Sequence, residues 1–160
     1  MNEPDTTDDD RPIAAPDASG RRGNRRYVLD TQVGFLLRKA QQRHVNIFAS
    51  LMGEGLTTQQ FAALAKLAEV GPASQNSLGR QTAMDNSTIN GVVRRLHQRG
   101  LVRKFPSAED GRLHMVILTD EGRRVCDRVF PVAREITQLT LAPLSRSEKA
   151  LFLRLLRKIA

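Results

Sequence analysis

Apolar positions recur along most of this chain at helical spacing, and that pattern predicts its elements before any other property is considered. From Leu29 to Leu51, residues Leu29, Val33, Leu36, Leu37, Ala40, Ile47, Phe48 and Leu51 form one stripe with Arg, Lys and Gln opposite, which predicts a long amphipathic helix. Gly53-Glu54-Gly55 breaks it. Thr57 is placed to cap a second helix with Phe61, Leu64, Ala65 and Leu67 on its buried side, and Gly71-Pro72 stops that helix. Beyond Pro72, Ser74 offers an N-cap hydroxyl for a short third helix anchored by Leu78. Gly79 falls where a following helix crosses closely and Ala83 falls in the turn. Met84, Ile89, Val92, Val93 and Leu96 then recur at helical spacing, with Asp85 as the cap.

After Gly100, at the left-handed position that often ends a helix, the period changes. Leu101 and Val102 begin a strand carrying Arg103 and Lys104, Asp110-Gly111 is a turn dipeptide, and His114 to Leu118 alternates toward a second strand. Val102 to Leu118 is therefore expected to form a β-hairpin with Arg112 beside its tip. Helix, turn, helix and hairpin in that order read as a winged helix. Thr119-Asp120-Glu121 opens a further helix whose face includes Val125, Val129, Val132, Ile136 and Leu139, and Pro131 is expected to kink or divide it. Ser145 and Glu148 are spaced as a capping box ahead of Leu151, Leu155 and Ile159, with Leu153 and Leu156 widening the stripe. So short and apolar a helix needs a partner.

Chemistry enters through the fourth of these helices. Asn86, Ser87, Thr88 and Asn90 place short polar side chains near its N-terminus and Arg94 follows one turn on, which is where recognition helices present base-reading groups. A formal net charge of +8 favours a polyanionic partner, because Lys and Arg that neutralise phosphates release condensed counterions. Aromatic residues make up 4% of the chain and Trp is absent, which argues against a single-strand or RNA stacking platform and for duplex DNA.

Other classes find less support. His44, His97 and His114 are scattered, Cys126 has no evident base partner, and there is no glycine-rich phosphate loop or metal-spaced cluster, so neither an enzyme nor a cofactor or metal is expected. The single cysteine excludes an intramolecular disulfide and reads as a packed side chain rather than a redox trigger. No apolar run approaches the roughly 20 residues that cross a bilayer. With no signal-peptide pattern at the N-terminus, a cytoplasmic protein without membrane contact is expected. Residues 1–27, with their early Asp residues and the cluster Arg21, Arg22, Arg25 and Arg26, read as a disordered, solvated tail, the alternative being that Arg21 to Arg26 form an arm that touches DNA or an acyl-CoA phosphate.

The central segment resembles the multiple-antibiotic-resistance regulator (MarR) family of winged-helix transcription factors. The resemblance rests on the small-residue turn at Ala83, Ser87-Thr88 on the recognition helix, Leu96 to Val102, Asp110 to Arg112, and Leu118-Thr119. It extends less tightly over residues 28–160. It implies a mainly α fold with a small β-hairpin wing, in which 57–119 form the winged helix-turn-helix DNA-binding region and 28–52 with 120–160 form a helical dimerisation arm. It further implies a homodimer on a pseudo-palindromic operator, with Arg112 entering the minor groove and Asp110 orienting it. DNA contacts are then expected from Asn86, Ser87, Thr88, Asn90, Arg94, Arg103, Lys104, Asp110 and Arg112.

The resemblance also implies an effector pocket lined by the first helix, for which Arg38, Arg43, His44, Phe48, Met52 and Phe61 are candidates. His44 reads equally as a ligand contact or as a satisfied core histidine, and the two arginines equally as the solvated side of their helix. Family effectors are often small aromatic acids or their acyl-CoA thioesters, which makes a ligand-released repressor the expected function. The alternative is an architectural DNA-binding protein without an effector.

Overall fold

The computed structural model describes residues 26–107 and 114–160. The chain opens with a 3₁₀ turn, Leu29–Thr31, followed by α1 (Val33–Leu51), α2 (Thr58–Val70), β1 (Ala73–Ser74), α3 (Gln75–Gln81), α4 (Asn86–Gln98), β2 (Val102–Pro106), β3 (His114–Leu118), α5 (Asp120–Thr140) and α6 (Arg146–Ile159). The architecture is mainly helical with a small antiparallel sheet.

Every helix from α2 to α6 begins where a short polar side chain takes up an orphan N–H, whereas Gln32 ahead of α1 makes no such bond. Thr57 accepts from the Gln60 N–H while Gln60 Oε1 accepts from Thr57 N–H, a reciprocal box that the sequence reading had only half seen. Ser74, Asp85, Thr119 and Ser145 accept from the backbone N–H of Ser77, Thr88, Gly122 and Glu148. At the end of α4, Gly100 adopts φ +70°. Its N–H reaches His97 O while Leu101 N–H reaches Leu96 O, the two bonds of a Schellman ending.

Three expectations change. The first stripe does not start a helix at Leu29: Thr31 Oγ1 and Gln32 Nε2 both donate to Val28 O, holding a local turn, and Gln32 is extended before α1 begins. The wing is a three-stranded sheet rather than a hairpin, in the order β1-β3-β2, with Ala73 opposite Val116 and Val102 opposite Leu118. A two-residue strand between a proline and a helix cap is too short to show alternation. Finally, Pro131 does not divide α5, which runs unbroken from Asp120 to Thr140. Pro131 is exposed, on the solvent side of the helix, while Val125, Val129 and Ile136 are buried on either side of it in sequence.

The core sits where α2, α3, α4 and the sheet meet, and Leu64, Leu78, Ile89, Val92, Val93, Leu96 and Val116 are fully buried there. Gly79 permits the crossing of α3 and α4: a Cβ on it would stand 3.1 Å from Met84 O and 3.2 Å from Ile89 Cγ2. Gly122 does the same for α5, since a Cβ there would come within 2.0 Å of Leu101 O. Phe48 from α1 joins Val125, Cys126 and Val129 from α5 in the same cluster, so the first and fifth helices are rooted in this unit. The Cys126 thiol is buried 3.9 Å from Leu64 O, and its pKa is raised by burial and then by the Asp127 charge, which suits packing rather than reactivity.

Candidate DNA-reading face and ligand cavity

Two sites emerge, one on α4 and β2 and one between α1, α2 and α5. On the first, Asp85 Oδ1 accepts from Thr88 N–H at 2.7 Å and from the Ser87 hydroxyl at 2.7 Å. These bonds, Thr88 first and Ser87 second, hold the Asp85 carboxyl below its ordinary pKa. Ser87 therefore spends its proton on the cap and retains acceptor lone pairs. Asn86, Asn90 and Arg94 are exposed, whereas Thr88 is half-buried.

Ser87, Asn90 and Arg94 meet Lys104 of β2 and Gln75 of α3 around an open polar depression of about 400 Å³. Four of the predicted residues, Ser87, Asn90, Arg94 and Lys104, thus share one surface, but Gln75 was not predicted. Its side chain donates to Asn90 Oδ1 at 2.6 Å, across 15 positions of sequence, and no local pattern signals that pairing. Strand alternation turns Arg103 to the side opposite Lys104, where its guanidinium lies 5.5 Å from the Phe105 ring centroid. Asp110 and Arg112 lie outside the described residues, as does the Asp110-Gly111 turn.

The second site is a cavity of about 480 Å³ bounded by His44 and Phe48 of α1, Thr58, Phe61, Ala62 and Ala65 of α2, and Phe130, Ala133, Arg134, Ile136 and Thr137 of α5. Phe61 stands edge-on to Phe48 at 5.9 Å and to Phe130 at 6.3 Å, giving the wall a continuous aromatic lining. His44 Nδ1 lies 3.0 Å from Thr140 Oγ1, and that hydroxyl donates to Ile136 O. With its proton so committed, Thr140 leaves His44 Nδ1 as the donor and Nε2 as an acceptor in the neutral ring.

Of the effector candidates, His44, Phe48 and Phe61 are brought together here. Met52 is buried in the core but does not line the cavity. Arg43 instead donates to Leu139 O at 3.0 Å and Thr140 O at 3.4 Å, meeting two carbonyls at the C-terminal end of α5. Arg38 is exposed and is not among the lining residues. Phe130, Thr58 and Arg134 line the cavity without having been expected from the sequence. Phe130, Ala133, Arg134 and Thr137 follow i, i+3, i+4, i+7 spacing, which was the available signal for a shared face on α5. Among the described residues no cluster of His, Cys, Asp and Glu could hold a metal, and no helix is long and apolar enough to cross a membrane.

A helix-turn-helix backed by a three-stranded wing, with a basic face on one side and a lined cavity on the other, defines a winged-helix transcriptional regulator. Comparison with known proteins places it further. The model of the MarR family matches residues 56–114. The HTH-type transcriptional repressor NicR of Pseudomonas putida is 42% identical over 137 residues, which span 85% of this chain and 87% of NicR. A probable transcriptional regulator from Pseudomonas aeruginosa, of known structure, is 47% identical with a TM-score of 0.80, over 83% of this chain and 100% of the other. BpsR from Bordetella bronchiseptica, whose DNA binding is regulated by 6-hydroxynicotinic acid, is 38% identical with a TM-score of 0.80, over 83% of this chain and 96% of BpsR. The chain belongs to the MarR family, and it is a regulator rather than an enzyme.

Proposed function

We propose that this chain is a homodimeric repressor that binds a two-half-site operator through α4 and the wing, and that a small aromatic acid releases it. The observation that carries the reading is the cavity between α1, α2 and α5: a slot with three phenylalanines, one histidine and one arginine. An aromatic ring packs edge or face against Phe48, Phe61 and Phe130. The carboxylate of such an acid pairs with the Arg134 guanidinium, and a ring hydroxyl or nitrogen meets His44. A volume of about 480 Å³ suits a free monocyclic acid, within the ordinary size of ligand pockets, and a CoA tail would have to project out of it. The regulation of BpsR by 6-hydroxynicotinic acid supports the same class of ligand.

On the DNA side, Asn86, Ser87, Thr88, Asn90 and Arg94 face the major groove, Arg103 and Lys104 serve the backbone, and Arg112 enters the minor groove beside Asp110. The apolar faces of α1 and α6 form the dimer contact, so residues 28–52 and 120–160 make the arm and 57–119 the reading unit.

Ligand and operator are linked through geometry. The cavity lies between α1 and α5 of the arm and α2 of the reading unit, so a ligand there favours one spacing of the two reading units over another. It lowers DNA affinity only to the extent that it prefers the wrongly spaced dimer, and operator must weaken ligand binding by the same factor.

The test is a titration of operator DNA with and without 6-hydroxynicotinic acid, supported by a panel of hydroxybenzoic acids. We expect the acid to weaken operator binding by wild type. Arg134→Ala should bind the acid about tenfold or more weakly, as the loss of a charge-assisted pair implies. His44→Ala should lose the response while keeping operator affinity. Unchanged DNA affinity with every acid removes the effector class, and a normal response from His44→Ala removes that residue from the site.

A further inference from the structure

We infer that Gln75 is a positioning residue for base recognition, which holds the Asn90 carboxamide in one of its two orientations on the reading face. The inference rests on α4 being the base-reading helix and adds what sets the reading of one of its side chains. Gln75 Nε2 donates to Asn90 Oδ1 at 2.6 Å. The backbone at both ends of that bond is anchored. Gln75 opens α3 directly after Ser74, whose strand pairing with Met115 and cap bond to Ser77 N–H anchor the backbone. Asn90 follows the fully buried Ile89, and the close approach of Gly79 to Ile89 leaves α3 and α4 little room to slide.

The consequence is chemical. A free carboxamide rotates by half a turn at little cost and exchanges its oxygen for its NH2 group. In one orientation it presents donors to purine N7 or O6, and in the other an acceptor to a base amino group such as cytosine N4. With Oδ1 taken by Gln75, Asn90 can turn only if the Gln75 carboxamide turns with it, so Asn90 offers its NH2 group from a defined position as long as Gln75 donates. Gln75 then contributes to specificity without touching a base, and Arg94 and Lys104 beside it supply the charge that draws the duplex in.

The experiment selects operators from a library of half-sites with the full-length dimer, and compares wild type with Gln75→Ala, Gln75→Glu, Asn90→Ala, Arg94→Ala and the double variant Gln75→Ala/Asn90→Ala. A well-placed contact of this kind supports discrimination on the order of tenfold or more at its base pair. Gln75→Ala should relax that preference severalfold at one pair in each half-site, the pair at which Asn90→Ala loses it. Gln75→Glu has the same shape but accepts instead of donating, so it should turn the Asn90 amide round and exchange the preferred base. Because each readout is a ratio between sequences, a uniform loss from the added negative charge cancels. In the Asn90→Ala background, Gln75→Ala should add nothing.

Unchanged preference in Gln75→Ala, alongside an altered one in Asn90→Ala, overturns this inference alone. So does an equal loss on all sequences, or a further loss in the Asn90→Ala background, which makes Gln75 a direct DNA contact. If Asn90→Ala and Arg94→Ala both read DNA as wild type does, the assignment of α4 fails and takes the inference with it.

Discussion

The reading unit and the outer faces of α1 and α6 use apolar residues at the same helical spacing and bury them to opposite degrees. In α4 the stripe of Ile89, Val92, Val93 and Leu96 is wholly enclosed by its own chain. On the N-terminal half of α1 and on α6 the stripe stays in solvent: Val33 is 66% and Ile159 69% exposed, and α6 contains no buried residue at all. Val33, Leu36, Leu37 and Ala40 of α1 border an apolar groove with Phe152, Leu155, Leu156 and Ile159 of α6. Burying apolar area is worth about 25 cal/mol per Å², and an open groove of this kind is an unstable end state for a single chain in water. The difference teaches that one region closes on itself and the other leaves an apolar face in need of cover.

The sharpest way to break that comparison is to charge the open face. Leu155→Arg combined with Ile159→Arg should dissociate the proposed dimer and, by removing simultaneous engagement of two half-sites, cost operator affinity on the order of 100-fold. Deleting residues 145–160 should do the same. The reading unit should remain folded in both, with its amide dispersion retained by NMR, because its core needs no second chain. A charged variant that still sediments as a dimer would place the interface elsewhere.

The converse change strikes the closed region. Ile89→Ala leaves a cavity in a fully buried site and should cost about 2–5 kcal/mol in urea unfolding. Gly122→Ala pushes a methyl against the Leu101 carbonyl, and since backbone cannot swing aside, α5 must shift; about 1–3 kcal/mol is expected. Wild-type stability in Gly122→Ala would mean that α5 does not dock on the reading unit as described.

The smallest expected effect is electrostatic and confined to the start of α4. The Asp85 carboxyl is held below its ordinary value of 3.8 by bonds from Thr88 and Ser87. A depressed folded pKa stabilises at pH above the unfolded value, and the contribution is lost as pH falls through the folded pKa. Asp85→Asn keeps a capping oxygen but removes the charge. It should therefore melt slightly below wild type at pH 7, and the gap should close as pH drops below 3.8. A gap that is constant over that range would assign the effect to geometry instead of charge.

Much of this architecture was legible because the signals are local. A cap joins residues three apart, as Thr57, Ser74, Asp85, Thr119 and Ser145 all do, and chain connectivity brings such partners together whatever the rest of the fold becomes. Gly100 and Gly79 were legible for a related reason: a left-handed ending and a close crossing each demand a residue without Cβ. The exposed stripes of α1 and α6 were legible too, but only as surfaces in need of cover. The strand at Ala73–Ser74 was not, since its partner Val116 lies far along the chain and two residues carry no period.

The amino-acid sequence by itself determined the helices, the starts of all but the first, and the face each one turns inward, because those follow from spacing and from side chains within one turn of each other. Tertiary structure alone decided which side chains meet. It set Arg43 on the carbonyls that end α5, 96 and 97 positions away, leaving Arg134 as the cation of the cavity. It closed His44, Phe48, Phe61 and Phe130 around one space, and it put Gln75 on Asn90. Such contacts depend on where whole helices cross. That is fixed by core packing around residues such as Gly79, Ile89 and Gly122, whose spacing says that they are buried but not which surface they are buried against.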